Sequence, residues 1–141
     1  MEEILKLIPI ILYFIVGLIS LIMAYKSIFS KKFISFHEMA VGKPLDSFDR
    51  PLQAVILAIM RVAGLGFFVV AILLFVFPIY TYFKPVNIVK YIIPLLSLVY
   101  CIGLFLVNYF LYKETGALTP WKKSLIVIGL LLVGLIISLV A

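Results

Sequence analysis

Residues 52–82 read LQAVILAIMRVAGLGFFVVAILLFVFPIYTY, and the single charge in that stretch is Arg61. A helix needs ~20 consecutive apolar residues to cross ~30 Å of bilayer hydrocarbon, and at 1.5 Å per residue this run extends ~46 Å. Three more runs of the same character, Ile4–Ala24, Ile88–Tyr112 and Ser124–Ala141, leave Lys31–Arg50 and Lys113–Lys123 as the only polar stretches of any size. A bilayer core holds no water to satisfy backbone amides, so apolar runs of this length are helical there. The sequence therefore predicts an all-α fold, an integral membrane four-helix bundle forming a single transmembrane domain over residues 1–141. Helices are expected at about 4–40, 51–82, 88–113 and 121–141, with the first two extended into the cytoplasm.

Of the 141 residues, 66% are hydrophobic and 13% charged, against ~25% charged in soluble domains. The start carries Glu2 and Glu3 rather than a basic region, and no A-x-A-like site follows, so the first run is expected to stay as a helix rather than be cleaved as a signal peptide. The net charge of +6 gathers at helix ends, which marks the lipid bilayer, and not nucleic acid, as the partner. Cys101 is the only cysteine, which excludes an intrachain disulfide, a CxxC redox pair and a thiolate zinc site. It is expected to behave as a small hydrophobe. Neither a cofactor nor a metal is implied.

Orientation follows from the basic residues. Lys26, Lys31, Lys32, Lys43, Arg50, Lys113, Lys122 and Lys123 fall on the first and third connections, against Lys6, Lys84 and Lys90 on the opposite side. The positive-inside rule makes the larger set cytoplasmic. The expectation is a multi-pass cell-membrane protein with both termini outside and loops 25–50 and 113–123 in the cytoplasm. Tyr80, Tyr82 and Tyr91 would mark the outer headgroup level, and Tyr25, Tyr109, Tyr112 and Trp121 the inner one. Thr115-Gly116 supplies a helix stop and Thr119-Pro120 a start, making a tight hairpin.

In the first connection, Phe29, Phe33, Phe36 and Ala40 recur at helical spacing, which predicts that the first helix continues past the membrane until Gly42 and Pro44 end it. Ser47 or Asp49 would cap the second helix, with Pro51 in its first turn. Phe33, Phe36, Leu52 and Ile56 would pack the two extensions together, projecting from the membrane or lying flat on the headgroups. The second helix, longer than the bilayer, would be ended or kinked at Pro78, tilt, or rise into the cytoplasm.

Arg61 is the leading site residue, because a charge within a membrane helix is costly. Counted inward from Tyr82 it lies ~32 Å away, at the inner hydrocarbon edge, where it would either snorkel or hold a ligand or lipid headgroup. Asn108 falls level with it on the third helix and would meet it as interhelical glue, with Gly64, Gly66 and Gly103 letting those two helices approach. In the first helix, Gly17 and Ser20 mark a packing face. His37 and Glu38 form a second ligand- or headgroup-binding candidate, since a histidine beside a carboxylate can accept a proton. No carboxylate lies at the centre of any run, so an intramembrane proton or cation relay is not expected. No catalytic residue is identified.

The segments HEMAVGKP (37–44), LQAVILAIMRVAG (52–64) and TGALTPW (115–121) resemble a group of small, uncharacterised bacterial four-helix membrane proteins over about residues 37–125. The resemblance implies one cytoplasmic-facing surface shared by these stretches and carries no activity. Three function classes remain open. One is a structural or interaction subunit of a homo- or hetero-oligomeric membrane assembly. Another is an oligomeric transporter of a small molecule or lipid. The last is a small membrane enzyme binding an anionic cosubstrate at the inner membrane edge.

Overall fold

The computed structural model describes residues 2–84 and 87–140. The chain forms α1 (Glu2–Phe29), α2 (Ser35–Val41), a single 3₁₀ turn (Leu45–Ser47), α3 (Arg50–Phe83), α4 (Asn87–Thr115) and α5 (Trp121–Val140), with no strand among the described residues. Four of these helices, α1, α3, α4 and α5, are long and apolar enough to cross a membrane. The bounds of α3, α4 and α5 lie within two residues of those expected; the expected final residue, Ala141, lies outside the described residues.

The first connection departs from expectation. The helix expected to run on to Ala40 ends at Phe29 and resumes only at Ser35. At the break, the Ser30 hydroxyl donates to the Lys32 carbonyl at 2.6 Å and accepts the Lys32 N–H at 3.3 Å. A serine that satisfies its neighbours' backbone in this way competes with the helical ladder. Gly42 then stops α2 as expected, with φ 76° and its N–H on the Glu38 carbonyl. The cap of α3 also differs. Asp49 occupies the capping position but its side chain makes no capping bond, and the Ser47 hydroxyl goes to the Pro44 carbonyl instead. Gln53 ties this corner down, donating to the Phe48 carbonyl at 2.6 Å. α2 packs against α4 rather than along the first turns of α3. Phe33 meets Phe48 edge-on at 6.3 Å, and Leu52 stays 41% exposed.

Among the long helices, α1 packs against α3 and α5, and α4 closes the ring by packing against α5 and α3. In a bilayer, where lipid is as apolar as a protein core, contacts of this kind would rest on close packing and interhelical hydrogen bonds rather than on expulsion of water. Three of the four seams use one device, a glycine receiving a large side chain from the next helix. Phe75 of α3 lies on Gly17 of α1, Ile28 of α1 on Gly64 of α3, Tyr100 of α4 on Gly66 of α3, and Tyr13 of α1 on Gly134 of α5. Gly17 and Ser20 are thus on a packing face as expected. Gly64 instead serves the α1 seam, and Gly103 faces open space.

The central cluster comprises Tyr13, Val16, Val70, Leu74, Leu98, Cys101 and Leu131, which places Cys101 among hydrophobes. Pro9, Pro78 and Pro94 all sit buried inside helices. α3 continues through Pro78 to Phe83, where the Thr81 hydroxyl donates to the Phe77 and Pro78 carbonyls at 3.0 and 3.1 Å. These bonds lie in the turn after the one, Leu74 to Pro78, from which proline removed a donor.

Candidate functional site

Arg61 is exposed, and no hydrogen bond of its guanidinium is found among the described residues. Gly64, one turn further along α3, meets Ser27 and Ile28 near the end of α1, so Arg61 lies level with the loop that follows α1. At about 100° per residue it is rotated about 60° from Gly64 and 40° from Phe75, both of which contact α1, but about 160° from Ala63. Ala63 is where α4 touches, its carbonyl accepting the Tyr100 hydroxyl at 3.3 Å. Arg61 therefore sits on the α1 flank of α3, facing away from α4.

The expected partnership with Asn108 does not form. Asn108 donates from Nδ2 to the Leu104 carbonyl of its own helix at 2.9 Å. Its backbone carbonyl instead accepts the Thr119 hydroxyl at 2.6 Å, and this bond holds the α4–α5 hairpin shut. Thr119, expected to start the last helix, thus braces the turn from the side. Gly116 ends α4 with φ 69° and its N–H on the Tyr112 carbonyl at 2.8 Å. Trp121 then packs among Phe105, Tyr109 and Tyr112 at 6.4, 5.8 and 5.9 Å. Lys113 lies over Tyr109 at 5.5 Å and Lys122 over Trp121 at 5.4 Å.

His37 is half-buried between aromatic rings, 4.1 Å from Phe36 and 6.3 Å from Phe33. Burial pushes its imidazole below the ordinary histidine range, which favours the neutral ring at neutral pH. Glu38 is exposed and contributes its backbone carbonyl to the Gly42 cap. None of the four candidate residues is hydrogen-bonded to another among the described residues.

Polar contacts that sequence reasoning passed over lie in the interior. The Tyr13 hydroxyl pairs with the Ser138 hydroxyl at 3.4 Å, joining the first and last helices. Ser97, 1% exposed, has a hydroxyl without a partner among the described residues. The only signal for these residues was polarity within apolar runs, which does not say which neighbour each one faces. The chain matches no protein-family model, and no curated protein or solved structure is found to be similar to it.

Proposed function

We propose that this chain is a polytopic membrane protein acting as a structural or interaction subunit of a homo- or hetero-oligomeric membrane assembly. The observation that carries this reading is Gly103. It is exposed on α4, nothing lies within 4 Å of the methyl that alanine would add there, and its neighbours one turn away, Val99 and Val107, are 62% and 67% exposed. Glycine inside a helix costs ~1 kcal/mol relative to alanine, and lipid has no use for the missing methyl. A closely approaching helix does. In lipid nanodiscs the protein is expected to have the mass of more than one chain, and Gly103→Ile to shift it towards the single chain. A wild-type protein that is monomeric and free of co-purifying chains would refute the subunit reading.

We further propose a cell-membrane four-helix bundle with both termini outside, and with α2 and the start of α3 extending into the cytoplasm. The aromatic cluster around Trp121, with Lys113 and Lys122 over its rings, supports an inner headgroup level at the α4–α5 hairpin. Arg61, exposed at the level of the loop after α1, would reach the same headgroups from the other side of the bundle. In a Cys101→Ala background, a thiol reagent confined to the outside is expected to label Lys84→Cys and to miss Asp46→Cys and Leu118→Cys. The reverse pattern would invert the topology.

A further inference from the structure

On the outside of the α1–α3 seam lies an apolar groove of about 410 Å³ lined by Ile10, Ile11, Phe14, Ile15, Leu18 and Phe75. Its floor is set by the glycine contact. The Phe75 ring lies where a side chain at Gly17 would be, 2.9 Å from where its Cβ would sit, and packs 5.2 Å from Phe14. From Ile10 to Leu18 the groove runs ~12 Å along α1, close to the ~15 Å depth of one leaflet. It is also polar at one end only. Exposed Lys6 sits one turn beyond Ile10, and the antiparallel register of Gly17 against Phe75 places Lys6 ~4.5 Å beyond the Phe83 end of α3. Tyr82, 51% exposed, lies two turns outward of Phe75 on the same face of α3, with exposed Lys84 just after it. Glu3 is the acidic neighbour, a turn further out than Lys6.

We propose that this groove is a binding site for one glycerophospholipid, an acyl chain lying from Ile10 to Leu18 and the phosphate held by Lys6 and the Tyr82 hydroxyl. The proposal rests on the membrane-spanning reading but not on which side is cytoplasmic, nor on oligomerisation. An apolar slot a leaflet deep with a cation at the headgroup level matches a lipid's own division into tail and phosphate. A bound chain also covers apolar atoms that a round lipid shell packs poorly.

The test is a titration of delipidated, detergent-solubilised protein with phosphatidylglycerol, read by native mass spectrometry. One lipid per chain is expected to bind. Ile11→Trp, which fills the groove from an exposed position, should weaken it about tenfold or more, the equivalent of ~1.4 kcal/mol. Lys6→Gln should weaken it several-fold, whereas Lys31→Gln, exposed in the loop at the opposite end of α1, should leave it unchanged. Diacylglycerol, which has the chains without the phosphate, should bind more weakly than phosphatidylglycerol, and inorganic phosphate should not displace the lipid. Three outcomes would overturn the proposal. These are equal retention by wild type and Ile11→Trp, full displacement by inorganic phosphate, and a lipid-free wild-type oligomer that Ile11→Trp converts to monomer. The last would give the groove to a second copy. Thermal unfolding of each lipid-free variant, expected to match wild type, separates loss of lipid from loss of fold.

Discussion

Gly64→Leu should open the seam between α1 and α3 and destabilise the protein by about 3 kcal/mol or more, at or beyond the upper end of the usual overpacking range. The position is unforgiving because of what the first added carbon would meet: Ile28 Cγ1 at 2.7 Å, Ser27 Cβ at 3.0 Å and the Ile28 backbone nitrogen at 3.1 Å. A flexible side-chain tip can turn aside, but the backbone of α1 moves only with the whole helix. Gly129→Leu makes the same chemical change where nothing of the chain lies within 4 Å, and in the dispersed single chain it should be neutral or mildly stabilising through helix propensity. Reversible unfolding in mixed detergent micelles would compare the two. Equal stabilities for both variants would mean that α1 and α3 are not held by this contact.

Trp121→Ala should cost about 2–4 kcal/mol and loosen the α4–α5 hairpin. Its indole touches three aromatic rings, and such pairs are each worth ~0.5–1.5 kcal/mol beyond the area they bury. Lys122 over its face adds a smaller cation–π contribution. Trp121→Phe keeps part of the stacking and should recover more than half of the loss. Amide exchange should report the change locally, with faster exchange at Lys113–Ser124 and little at α1. Uniform acceleration along the chain would instead assign Trp121 to global stability rather than to the hairpin.

Much of the fold was legible because hydropathy and turn chemistry act along the chain. The apolar runs gave α3, α4 and α5 nearly to the residue, and Gly42 and Gly116 stop their helices in the left-handed conformation that glycine adopts without strain. The break at Ser30 was hidden because Phe29, Phe33, Phe36 and Ala40 keep helical spacing through it, while the side-chain bonds of Ser30 that interrupt the ladder leave no mark on periodicity. Rotation was the other blind spot. A helix apolar all round offers no stripe to say which side is in, so counting residues could place Arg61 at a depth but not on a flank. That is how Asn108, expected across from it, came to serve Thr119 instead. Glycine was readable as a packing residue, but not the helix it would receive, as Gly64 and Gly66, two residues apart, face α1 and α4 respectively.

The bond between Tyr13 and Ser138 spans 125 positions of sequence, and this imposes an order on biogenesis. On the membrane-spanning reading, helices enter the bilayer as they are synthesised, and α1 and α3 can pair as soon as both are inserted. The ring cannot close at that stage. Until Trp121–Val140 leaves the ribosome, the face of α1 that carries Tyr13 borders lipid, and its phenol has no hydroxyl to meet in a medium that offers none. The nascent chain on that reading passes through a three-helix state with an open, polar-edged side, and α5 is the helix that seals it.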